Sequence, residues 1–175
     1  MLSRLFKPTA IQATIDRIHG EIVAAARQPE FYRTCGVADT FEGRFELLTL
    51  HAALVLHHLA GLPAPGPALS QKLVDRVFSG LDAALRQMGT GDVVMPKRMA
   101  RLLEAFSGRV QALQQALPDN DAALAQVLAR NVLAGQGNGL ALARYVRAVE
   151  ARLAVLDIAH ITKFPLPFRD PATIG

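Results

Sequence analysis

Cysteine is nearly absent from this 175-residue chain, and tryptophan is absent altogether. One cysteine, Cys35, excludes an internal disulfide framework and any cysteine-based zinc site. It suits a reducing compartment. Charge is also scarce: 19% of residues are charged, against 51% hydrophobic. That balance excludes a disordered chain. Acidic residues number only 15 against 19 basic ones, for a net charge of +4 and a pI near 9.7. Such a surface is either simply solvated or faces acidic surroundings such as RNA or anionic lipid. β-Branched residues are few, with 20 Val and Ile against 54 Ala and Leu. Ala and Leu favour helices, so the expectation is all-α, in a single domain over 1–175.

Several chemistries lack their motifs. No Gly-x-Ser-x-Gly, Walker or dinucleotide-binding pattern occurs, and Gly135, Gly137 and Gly139 have no strand before them. No carboxylate lies between Glu46 and Asp75, so His51, His57 and His58 lack the close acidic partners of helical metal sites. The residues therefore predict no metal, no cofactor and no catalytic group. One hydrogen-bonded core imidazole, with two histidines near a helix end, is the expectation for that trio. The start of the chain has a basic character and no signal-length apolar core, so no secretory signal is predicted.

Apolar spacing predicts six main helices. Ile11, Ile15, Ile18 and Ile22 mark the first, over 8–27. Asp39, with Glu42 three residues later, predicts a capped helix start. The helix from there to Leu59 is apolar nearly all round, which predicts the central buried helix rather than a membrane span. Gly61–Pro67 is a rigid break. Leu69, Leu73, Val77, Leu81, Leu85 and Met88 line the next helix, which Gly89-Thr-Gly-Asp92 ends. A fourth helix runs from near Pro96 to Leu117, with Met95, Met99, Leu102, Leu103, Phe106 and Val110 inward. Lys97, Arg98 and Arg101 form a basic strip on its other side, with Arg109 at the margin. No aromatic interleaves with that strip and no DNA-reading motif surrounds it, so no specific DNA binding is expected. Residues 120–134 and 140–161 complete the set, before an extended Pro-containing tail over 162–175. Gly80 and Gly108, inside helices, point to close approach of a neighbour or to ordinary packing.

Two blocks resemble a known family. The run Glu30-Phe-Tyr-Arg-Thr-Cys-Gly-Val-Ala-Asp-Thr-Phe-Glu-Gly-Arg-Phe-Glu-Leu-Leu-Thr-Leu-His51 is similar to the signature of the ubiquinol–cytochrome c chaperone family. So is Leu81-Asp-Ala-Ala-Leu-Arg-Gln-Met-Gly-Thr-Gly-Asp92, followed by Lys97-Arg-Met and Phe106-Ser-Gly-Arg109. The resemblance covers about 15–155. The family's usual Gly-Val-Pro-Asp reads Gly36-Val-Ala-Asp39 here.

That resemblance implies a non-enzymatic chaperone that binds newly made cytochrome b during assembly of the bc1 complex. It implies cytochrome b as client, with a small helper protein and the ribosome exit region as further partners. An anionic membrane surface is a further expected contact, and the expected location is cytoplasmic with peripheral contact to the inner membrane. Two other classes stand beside it. One is a peripheral membrane adaptor held by the basic face with Leu2, Leu5 and Phe6. The other is a small helical enzyme with an enclosed pocket. The expected partner surface comprises Gly43, Arg44, Gly89, Gly91, Asp92, Lys97, Arg98 and Arg101. Gly43 and Arg44 rank high because a helix start offers them no reason of its own, whereas Asp39 has its cap.

Overall fold

In the computed structural model, the described residues are 8–168 and 170–173. Eight α-helices occur among them, with no strand. They are α1 (Pro8–Ala26), α2 (Pro29–Arg33), α3 (Phe41–Gly61), α4 (Gly66–Gln87), α5 (Met95–Ala116), α6 (Asp121–Val132), α7 (Leu140–Leu153) and α8 (Ile158–Lys163). A 3₁₀ turn follows at Pro171–Thr173. The all-α architecture is as the composition predicts.

The central helix is α3. It packs against α1, α4, α5, α6 and α7, and Phe45, Leu47, Leu50 and the run His51 to Leu56 are all buried. Surrounding it on every side uses up its all-round apolarity. Among the described residues no helix is long and apolar enough to cross a membrane. The other long helices are one-sided. In α4, Leu69, Leu73, Val77, Leu81 and Leu85 are buried, while Lys72, Asp75 and Ser79 are exposed.

The start of α3 corrects one expectation. Thr40, not Asp39, is the N-cap, its hydroxyl accepting from the Gly43 N–H at 3.1 Å. With the cap one residue later, Glu42 falls in the second helical position and cannot close the box, which needs the third. Glu42 stays exposed in the first turn, and Asp39 pairs with Arg44 instead.

Two short helices depart from the expected set of six. Pro29 opens α2, which buries Phe31. The single helix expected over 140–161 breaks at Leu153, and Asp157 caps α8 by accepting from the His160 N–H at 2.7 Å. The C-terminal segment is then tied back to α1. Arg17 donates to the carbonyls of Ile161 and Phe164, and Glu21 accepts from the Leu166 N–H. Phe168 ends against the edge of His51, with ring centroids 5.1 Å apart.

Leu103 is half exposed rather than inward, since it lies at the edge of the α5 apolar stripe. Met95 is buried, and Met99 is partly buried against the core.

Candidate functional site

A groove of about 370 Å³ runs between α1, α3 and α4. On α1, His19, Val23 and Ala26 share one face through spacings of three and four, and Arg27 follows in the turn just past the helix. On α4, Val77, Gly80, Leu81 and Ala84 do the same, and Met88 follows as the C-cap. Phe41, Arg44, Phe45 and Leu48 come from α3. The groove exists because α4 presents small residues here. At Gly80 a Cβ would lie 3.0 Å from His19 Nε2, so the imidazole packs onto the bare backbone. Ala83 and Ala84, one turn on, leave space where longer side chains would close the gap.

The two ends differ in charge. Asp16 pairs with Arg76 at 2.6 Å beside His19. Burial pushes the His19 imidazole below its usual pKa, so it is neutral near pH 7. The far end is basic. Arg27 and Arg44 line its mouth, and a shallower depression continues past them to Tyr32, Arg33 and Asp39. Arg44 Nε donates to Asp39 at 2.8 Å, and that bond holds the exposed Asp39 carboxyl below its ordinary range. Arg98 reaches the same region from α5. Its guanidinium stands 5.2 Å from the Phe41 ring centroid and donates to Thr90 Oγ1 at 3.2 Å.

The expected surface residues divide accordingly. Arg44 lines the groove, and Arg98 touches it through Phe41. Lys97 and Arg101 are exposed on α5 and make no ion pair among the described residues. Gly91 is exposed, and its carbonyl receives the Val94 and Met95 N–H groups. Gly89 has a structural explanation. Its φ is +83°, its N–H donates to the Arg86 carbonyl, and the Thr90 N–H donates to that of Leu85. This is the double bond pattern that stops a helix on a left-handed residue. Asp92 answers to Arg86 at 2.6 Å, which also holds Asp82 at 2.8 Å.

Gly43 is the clear correction. It is buried, and a Cβ there would lie 1.9 Å from the Ala38 carbonyl oxygen. The preceding turn lies directly on α3, so Gly43 is required by packing and is not a surface position. Gly108, by contrast, is exposed with nothing within 4 Å of a built Cβ, and no neighbour approaches it. The sequence does not single out His19, Val23, Arg27 or Ala84; Gly80 and Arg44 are its pointers to this groove.

Two buried polar residues, Thr49 and His51, lie on α3. His51 Nδ1–H donates to the Leu47 carbonyl at 2.7 Å, and the Tyr145 hydroxyl donates to Nε2 at 2.7 Å. Phe31 packs edge-on to both rings, at 5.4 and 4.9 Å. Burial takes the His51 pKa down to about 4. Both ring nitrogens are engaged, so His51 has none left for a metal. His58 Nε2 bonds the Leu156 carbonyl at 2.9 Å, and His57 is exposed. Among the described residues no group of three or more His, Cys, Asp or Glu is placed to hold a metal ion. On the opposite side, Arg109 pairs with the mostly buried Glu46 at 3.0 Å. The neighbouring Thr49 hydroxyl is buried with no hydrogen-bond partner among the described residues.

Residues 33–166 match the family model described as ubiquinol-cytochrome C chaperone. The fold is similar to the crystal structure of the Cbp3 homolog from Brucella abortus, at 36% identity and a TM-score of 0.86, with 100% of each chain covered. No curated protein matches. The matched span holds the first signature block from Arg33 onward, all of α3 to α7 and the α3–α4 side of the groove, and the chain belongs to the ubiquinol–cytochrome c chaperone family.

Proposed function

We propose that this chain is a non-enzymatic assembly chaperone that binds newly made cytochrome b while the ubiquinol–cytochrome c reductase complex is built. The observation that carries the reading is an open groove with an apolar floor, in a member of this family, on a scaffold whose interior polar groups are almost all satisfied. A holding protein needs such a surface and no reactive group. It must cover apolar client segments while its own exposed apolar area stays small. Met88, half exposed at the groove mouth, adds an unbranched side chain that adapts to different partners.

The exposed cations Lys97 and Arg101, beside the exposed Val93 and Val94, supply a second contact strip for an acidic partner, the ribosome exit region or anionic lipid. A small helper protein belongs to the same reading, as does work at the cytoplasmic side of the inner membrane. Leu2, Leu5 and Phe6, the expected membrane-holding residues, lie outside the described residues.

The test is affinity capture of the tagged chain from cells making the bc1 complex. Cytochrome b should co-purify with the natural chain. It should be depleted when Ala84→Trp fills the groove, and bc1 content should fall with it. Capture without cytochrome b, under conditions where the complex is being made, would overturn the reading.

A further inference from the structure

The groove has a length, a floor and a polarity, and together these define an occupant. From His19 to Arg27, one residue past α1, is eight steps and from Val77 to Met88, the C-cap of α4, is eleven, or about 12 and 16 Å at the α-helical rise. That spans two to three turns of a second helix. The floor is apolar, with Phe45, Leu48, Val77 and Leu81. A helix seats in such a groove by side chains at i, i+4 and i+7.

The two ends differ in charge. At the His19 end Asp16 and Arg76 cancel one another at 2.6 Å, and His19 is neutral. At the other end Arg27, Arg33 and Arg44 meet around a depression of about 560 Å³, whose lining holds one carboxylate, Asp39, already bonded to Arg44. Arg33 has only a loose partner, Glu30 at 3.8 Å. Arg27 is exposed and forms no ion pair among the described residues. Whatever lies in the groove therefore ends over a surplus of positive charge.

We propose that the α1–α3–α4 groove seats an amphipathic partner helix whose carboxylates lie over Arg27 and Arg44. This rests on the chaperone reading and adds the chemistry of the segment held. Apolar anchors supply affinity and the acidic end sets direction, since reversed seating would put carboxylates at the neutral His19 end and leave the arginines unanswered.

The probe is a synthetic sixteen-residue helical peptide with leucines at i, i+4, i+7 and i+11 and two glutamates in one terminal turn. Its partner carries two lysines in their place. Binding to the full chain is read by fluorescence anisotropy. The glutamate peptide should bind about fivefold tighter than the lysine peptide, a margin expected of partly exposed charges, and 0.5 M salt should erase most of it. Arg27→Glu, at an exposed position, should reverse the preference. Ala84→Trp should weaken both peptides about tenfold. If that variant fails to fold, Met88→Glu, at a half-exposed position past the end of α4, should weaken both while melting normally.

Equal affinity for the two peptides would overturn the proposal. So would a preference untouched by Arg27→Glu, or self-association of the chain that the peptides do not compete with. The two readings separate in cells. Lost cytochrome b with Ala84→Trp, but no peptide preference, refutes the acidic helix and keeps the chaperone. A clear peptide preference with undiminished cytochrome b refutes the client and keeps the helix-binding groove.

Discussion

Acid should destabilise this protein through one buried imidazole. His51 is fully buried, bonded at both nitrogens, and held at a pKa of about 4 against an ordinary value of 6.5. Burial is the cause, opposed only in part by the bond to the Leu47 carbonyl. The sign follows from proton binding. Above pH 6.5 the ring is neutral in folded and unfolded chains alike, and His51 adds no pH dependence. Between 6.5 and 4 the unfolded chain takes up a proton that the folded one refuses, so stability falls as pH falls. Below 4 both forms are protonated and the loss is complete. Each pH unit carries about 1.4 kcal/mol, so a window of that width costs on the order of 3 kcal/mol, a large share of a typical domain's stability.

Denaturant melts at pH 7.5, 6.0, 5.5 and 5.0 measure this, comparing the natural chain with His51→Gln. Glutamine keeps a donor and an acceptor but does not titrate. His19 and His58, whose pKa values burial also lowers, add slope in the same direction in both proteins and cancel in the difference. The natural chain should lose about 1 kcal/mol more than the variant between pH 6.0 and 5.0. Parallel curves would refute the reasoning, because a ring open to water titrates equally in both states. Tyr145→Phe gives a second handle. It leaves Nε2 buried without its donor, which costs about 1–3 kcal/mol at pH 7.5.

Three further outcomes follow from the packing. Thr49→Val should be neutral or stabilising by up to about 1 kcal/mol in a urea melt, since the buried hydroxyl it removes has no partner. Gly43→Ala should cost about 2–3 kcal/mol because the turn at Ala38 must move, whereas Gly108→Ala in open space should gain up to about 1 kcal/mol; equal effects would mean the turn is not seated on α3. Lys97→Ala with Arg101→Ala should melt normally, each within about 0.5 kcal/mol, and reduce bc1 content in cells; an undiminished complex would return the strip to a solvated face.

Much of the fold is legible because its signals are local. The centrality of α3 follows from apolarity on every side, and the one-sided helices follow from periodicity. Short elements escape because their signals are weak or masked. α2 has five residues, too few for a period, and only Pro29 marks its start. The break before α8 is hidden because Val149, Leu153 and Leu156 continue an unbroken three-and-four spacing across it. Asp157 was the available signal, a capping residue one step before Ile158.

The groove was harder to foresee, for a reason its own residues make plain. Periodicity says which face of a helix is apolar, but not whether two apolar faces meet or stand apart. That is decided by side-chain size across the gap, and here by Gly80, Ala83 and Ala84 opposite Val23 and Leu48. Gly43 shows the same limit from the other side. Nothing within α3 calls for glycine at the third helical position, so its own helix suggests a surface role. The requirement comes from the Ala38 carbonyl, brought over by the turn that Thr40 caps. Arg44, the next residue, does face outward, with its guanidinium on Asp39 at the mouth of the groove. Two adjacent signature positions thus serve different ends: one lets the chain close tightly onto α3, and the other stands at the basic mouth that this closure leaves open.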